Sequence, residues 1–200
     1  MTPRPAPLRE ALDAALAALA LRARDDASRL CVARVAEALA MPAPGPGAIP
    51  SRLTVCGLLP EAAAPALADP ALRPLADALL ALDPQLPWRR RGGEAPGASE
   101  GFAEGHANAM IAGPGGLEQR QDAWLGVSLL APHVRYPDHD HAPEETYLVL
   151  SDGEFRQGEG AWFAPGLGGS FHNPPGIRHA MRAGAKPLLA LWALWAPRAA

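Results

Sequence analysis

The chain has 200 residues, 48% apolar and 20% charged, a composition that excludes disorder over most of its length and allows one good-sized core. A formal net charge of -3 excludes the broad basic footprint of a nucleic-acid binder. Two cysteines, Cys31 and Cys56, are too few for a disulfide framework and read as buried thiols in a reducing compartment.

At the N-terminus, Glu10 and Asp13 precede the apolar stretch and no small-residue cleavage site follows it, so no secretory signal is expected. The apolar runs are too short and too interrupted for a membrane span. The expectation is a cytoplasmic protein with no membrane partner. Residues 8–40 predict one or two helices, since "LREALDAALAALALRA" and "SRLCVARVAEALA" are rich in the strongest helix formers. "MPAPGPGAIPS" breaks the pattern at 41–51. Helical patterning resumes over 52–83, where Pro60, Pro65, Pro70 and Pro74 predict short helices. "WRRRGG" at 88–93 is basic but short, and reads as a solvated loop rather than a phosphate site. A second break covers 92–101.

From His106 the texture changes to short apolar or alternating runs about ten residues apart, separated by Gly, Pro and Asp. This predicts an all-β sandwich or barrel. "LSDGEF" carries Asp152-Gly153, a good hairpin turn. The predicted organisation is a helical region at 1–90 that covers a barrel at 102–198. All six histidines fall in the β half: His106, His133, His139, His141, His172 and His179.

The densest chemistry lies in "RYPDHDHAPEETYLVLSDG", from Arg135 to Gly153. Strand side chains repeat every two residues, and His139, His141, Glu145 and Tyr147 share odd parity, although Pro143 interrupts the run. Two imidazoles one residue apart on one face, with a carboxylate four residues on, are suited to a divalent metal. "HNPPGIRHAM" offers a further ligand from another strand: Pro174 and Gly176 make a tight turn and His179 follows. His133 and His172 read as structural or pocket-lining rather than as ligands.

These residues carry a resemblance. His139-x-His141-x-x-x-Glu145 followed by Gly153 resembles the first cupin motif, and Gly168, five residues, Pro174-x-Gly176-x-x-His179 resembles the second. The departures are His133 where a glycine is expected, Gly153 one residue late, and Ala183 where an asparagine is expected. The resemblance implies a mostly β fold, a cupin double-stranded β-barrel (jelly roll), preceded here by the helical region. It also implies one divalent transition metal ion (zinc, iron, manganese, cobalt or nickel) held by His139, His141, Glu145 and His179. With Tyr136 and Tyr147 added, and His179 thirty-eight residues after His141, the pattern over 136–179 is similar to the cupin dimethylsulfoniopropionate lyases, most of all the Q-type branch. That resemblance implies a β-elimination yielding dimethyl sulfide and acrylate.

The chemistry fits the residues independently. A proton next to a carboxylate is weakly acidic, so a Lewis acid must stabilise the developing charge. A tyrosine of pKa about 10 becomes a usable base beside a divalent cation. Tyr147, two residues past Glu145, is the expected base, and Tyr136 the hydroxyl that orients the substrate carboxylate. The sulfonium needs aromatic faces, for which Trp124, Trp162, Phe163, Phe171, Trp192 and Trp195 are candidates. The expected partner is a small carboxylate substrate, with a homodimer left open. Two alternatives are a mononuclear non-haem iron dioxygenase, which the same ligand set also suits, and a non-catalytic cupin that binds a small ligand.

Overall fold

A computed structural model describes residues 3–197 of the chain; positions 1–2 of the predicted helical region and position 198 of the predicted barrel lie outside the described residues. Two helices, α1 (Ala6–Arg22) and α2 (Asp26–Ala40), open the fold. The Asp25 carboxylate caps α2, accepting the Ser28 main-chain N–H at 2.8 Å and the Ser28 hydroxyl at 2.7 Å. A 3-10 turn (Thr54–Leu58) leads into α3 (Leu59–Ala68), and α4 (Arg73–Leu82) follows. Pro60 and Pro74 sit in the first turns of α3 and α4, where no N–H is needed. Pro65 lies inside α3 without ending it, because one face of that helix buries Ala62, Ala63 and Ala66. A single turn, α5 (Phe102–Gly105), precedes the strands.

Among the described residues the β half holds seven strands: β1 (His106–Ala112), β2 (Ala123–Leu130), β3 (Glu144–Val149), β4 (Glu154–Gln157), β5 (Ser170–Asn173), β6 (His179–Arg182) and β7 (Leu188–Trp195). One antiparallel sheet has the order β1-β2-β7-β3-β5, and β4 pairs with β6 in a second. Asp152-Gly153 therefore does not close a hairpin: β3 and β4 belong to different sheets, and the dipeptide turns the corner between them. A Cβ on Gly153 would lie 2.6 Å from the buried Leu188 side chain, which would have to shift to make room for it. The run "GAWFAPG" forms no strand and contributes a bridge between Phe163 and Phe155.

The large sheet is buried on both faces, which explains why its strands read as nearly continuous apolar runs. Its outer face, including Ile111, Leu125, Val127, Leu129, Leu148 and Leu191, shares one core with the helices. Its inner face packs with Phe102, Val134, Phe155 and Met181 in a second core that surrounds Tyr136 and Tyr147. Helix α2 lies directly against β7 and β3. The architecture is a cupin barrel with an N-terminal helical extension.

Candidate metal and substrate site

β3 carries Glu145 and Tyr147 on its inner face, both almost fully buried. His139 and His141 do not stand on that strand. Pro143 has no N–H for a ladder, so β3 starts only at Glu144, and the two histidines lie in the irregular segment before it. That segment is held in other ways. His139 exchanges main-chain hydrogen bonds with His179, at 3.0 and 2.8 Å. The Gly176 N–H donates to the His141 carbonyl at 3.0 Å from a turn where Gly176 has φ 71°. Asp138 accepts from Arg135 at 2.8 Å and from Arg156 at 2.7 Å; burial opposes its ionisation, but these cations hold its pKa below the usual value. His133 adopts φ 63°, the left-handed conformation for which the motif's glycine is suited.

The three motif histidines share one orientation device. Each Nδ1–H donates to a nearby main-chain carbonyl: His139 to Pro137 at 3.0 Å, His141 to Pro143 at 2.9 Å and His179 to Ile177 at 2.9 Å. This fixes the tautomer and leaves each Nε2 lone pair free for a ligand. His141 Nε2 and His179 Nε2 both lie 3.3 Å from Glu145 Oε2, yet neither is aligned as a hydrogen bond, and both nitrogens are buried. Converging buried donors of this kind, two imidazole nitrogens and a carboxylate, fit a divalent transition metal. The Asn173 amide donates to Glu145 Oε2 at 2.8 Å and steadies the carboxylate. Burial disfavours the Glu145 anion, but the two imidazoles hold its pKa far below the usual carboxylate range. Burial likewise opposes charge on His141, but Glu145 outweighs it and raises the pKa. His139 lies outside this trio, with its ring 4.1 Å from that of His179. Burial, then the neighbouring His179, drop its pKa to about 3.

Both tyrosines line the same cavity of about 260 Å³, with His139, His141 and Glu145. The Tyr147 ring stacks on Phe171 at 5.3 Å and tilts against Phe155 at 5.5 Å. Burial, then the Glu145 charge, push its hydroxyl pKa well up. Tyr136 ends a hydrogen-bond chain. Trp192 Nε1–H donates to Ser128 Oγ at 3.0 Å, Ser128 to Asn108 Oδ1 at 2.7 Å, and the Asn108 amide to the Tyr136 oxygen at 2.8 Å. The Tyr136 O–H is thereby left free to donate to another acceptor. Burial raises its pKa, while Asn108 and the positive charge of Arg91 act against the rise.

Of the six candidate aromatics, Trp124 and Trp192 line the cavity. Phe163 and Phe171 pack around Tyr147 and Phe155 in the barrel interior. Trp162 lies outside, under Arg182 at 4.3 Å and Arg156 at 5.3 Å, and Trp195 sits under Arg34 at 4.2 Å. "WRRRGG" reads as a solvated loop, yet Arg89 and Arg91 line the cavity, and so does Asn108, for which the sequence carries no signal. The available signal for the arginines is their spacing of two, which puts Arg89 and Arg91 on one face wherever the run is extended. A second group, Cys31, Glu144 and His172, lies on the outer face of the sheet under α2. There Glu144 already pairs with Arg34 at 2.7 Å, and burial raises the Cys31 pKa to about 11, so this group reads as a buried polar cluster that fastens α2. Among the described residues, no helix is long and apolar enough to cross a membrane.

No curated protein sequence matches the chain significantly. One solved chain, from the crystal structures of the DMSP lyases RdDddP and RnDddQII, is 25% identical, with a TM-score of 0.65 over 95% of this chain and 92% of that one. The DMSP lyase DddQ from Ruegeria pomeroyi DSS-3 shares the fold at 22% identity, with a TM-score of 0.70 over 96% of this chain and 94% of that one. The family model for dimethylsulfoniopropionate lyase matches residues 27–190, helices and barrel together, and the chain accordingly belongs to that family of cupin-type carbon–sulfur lyases.

Proposed function

We propose that the chain cleaves dimethylsulfoniopropionate to dimethyl sulfide and acrylate by a metal-assisted β-elimination in which Tyr147 is the base. The observation that carries this reading is the convergence of His141 Nε2, His179 Nε2 and Glu145 Oε2 beside a cavity that His141, Glu145 and both tyrosines line. His141, Glu145 and His179, with His139 beside them, would hold a divalent ion whose role is to polarise the substrate carboxylate and favour ionisation of a nearby phenol.

The remaining work falls to the chain. Tyr136 donates its hydroxyl proton to a carboxylate oxygen, since Asn108 already occupies its acceptor side. The Tyr147 phenolate removes the proton on the carbon next to the carboxylate. The electron pair of that C–H bond forms the new C=C bond, and the C–S pair leaves with sulfur as a neutral thioether. The proton remains on Tyr147 and is returned to solvent after acrylate leaves. Tyr147 packs against the touching pair Phe171 and Phe155, which limits its ring motion and keeps water from that side of the base.

Headspace gas chromatography of purified protein with dimethylsulfoniopropionate, before and after chelation and re-addition of single metals, tests the proposal. Dimethyl sulfide that disappears with the metal and returns with it is the expected result. No dimethyl sulfide under any metal would refute it, and oxygen consumption in its place would favour the dioxygenase.

A further inference from the structure

The basic run at 88–91 belongs to the barrel mouth. Its main chain is extended, and Arg89 exchanges both main-chain hydrogen bonds with Asn108 of β1, each at 2.9 Å. Side chains of an extended segment alternate between two faces. On one face Trp88 is buried against the helices and its Nε1–H donates to Asp83 at 2.7 Å, while Arg90 pairs with Glu104. On the other, Arg89 and Arg91 line the cavity. Arg89 is exposed and its guanidinium donates to the Gly115 carbonyl at 2.9 Å, so it serves the rim.

Arg91 differs. Its main-chain N–H donates to His106 Nε2 at 2.7 Å, and His106 is itself fixed by the Phe102 carbonyl at 2.5 Å and by stacking on the Phe102 ring at 3.8 Å. The arginine is therefore held in place from behind. Among the described residues, every other arginine that is at least partly buried forms an ion pair, and Arg91 forms none. Its Nε is buried without an acceptor. A partly buried cation without a counter-ion is unfavourable by itself, and an anionic ligand removes that penalty.

The structure assigns Arg91 as the anchor for the substrate carboxylate, in an anion subsite completed by the hydroxyl of Tyr136. This rests on the lyase reading for the identity of the substrate, but not for the presence of the subsite. The guanidinium offers a planar fork of donors matched to a carboxylate, and Tyr136 offers one more from the end of the Asn108 chain. Met110, Trp124 and Trp192 are left as apolar and aromatic lining for the sulfonium end.

Titration calorimetry with sodium propionate, and with propionamide as its neutral counterpart, tests this on the metal-loaded wild type, Arg91→Met and Arg91→Lys. Arg91→Met should weaken propionate by roughly 10- to 100-fold, the range for a hydrogen bond to a charged group. Arg91→Lys should weaken it several-fold, since charge remains but the fork is lost. Propionamide binding and metal content should not move. With dimethylsulfoniopropionate, KM should rise more than kcat falls. Propionate that fails to bind the wild type, or that binds both variants as tightly as the wild type, would overturn the assignment. So would an equal loss of propionamide. Arg91-dependent propionate binding without any dimethyl sulfide from the wild type would uphold the subsite and sink the lyase reading. Dimethyl sulfide from the wild type with propionate indifferent to Arg91 would do the reverse.

Discussion

Tyr147→Phe isolates the proposed base. The Tyr147 ring is 3% exposed and packed against Phe171 and Phe155, so phenylalanine keeps the volume and both ring contacts. What is removed is one hydroxyl facing the Glu145 carboxylate. General-base catalysis contributes about 10²–10⁴-fold. At about 1.36 kcal/mol per tenfold, the barrier should rise by roughly 3–5 kcal/mol. Stability should change by about 1 kcal/mol or less, because Glu145 keeps the Asn173 amide as a donor at 2.8 Å. Tyr136→Phe supplies the contrast. It strands the Asn108 amide, which now donates to the Tyr136 oxygen at 2.8 Å, and so should cost about 1–3 kcal/mol of stability. Its kinetic signature should be a raised KM with a smaller fall in kcat. The assay is dimethyl sulfide release with metal content and urea unfolding measured on the same samples. Tyr147→Phe with full metal and turnover within about threefold of wild type would refute the base assignment, since even the low end of that range is about 10²-fold. If Tyr136→Phe were the inactive variant instead, the two roles would be exchanged.

His141→Ala, Glu145→Ala and His179→Ala should each lose most of the bound metal and all activity while the barrel stays folded, with His139→Ala milder because its ring lies outside the converging trio; elemental analysis showing full occupancy in all three would remove the site. Gly126→Ala should destabilise the barrel by about 1–3 kcal/mol in urea unfolding, since a Cβ there would lie 2.3 Å from the Trp192 ring and 2.5 Å from the Ala109 carbonyl oxygen. It should also weaken substrate binding by shifting the Trp192 indole off Ser128; an unchanged KM would show that this indole does not shape the cavity. Deleting residues 1–90 should leave an aggregating or inactive barrel, because Ile111, Leu125, Val127 and Leu191 would face water; light scattering and turnover report it, and a soluble, fully active fragment would refute the shared core.

The sequence by itself determined the elements whose signals are local. The Ala- and Leu-rich runs form α1 and α2 because helix bonds join residues four apart, and propensity over such a window suffices. The candidate metal trio could be proposed from sequence because His141 and Glu145 are four residues apart and the Pro174–Gly176 turn announces His179. Tertiary structure decided what depends on distant pairing. Trp192 and Trp195 stand three apart on β7 and so must face opposite ways, but only the neighbours of β7 settle which one sees the cavity. Asp152-Gly153 has hairpin chemistry, yet β4 finds its partner in β6 and leaves β3 to β7 and β5. Arg91 reads as a solvated charge until the run at 88–91 docks on β1, and Asn108 reads as an ordinary strand residue until Ser128 and Tyr136 reach it. Strand pairing joins residues tens of positions apart through main-chain groups that every residue shares. Local composition therefore specifies that a strand forms, while its neighbours in the folded sheet decide which of its side chains meet the substrate.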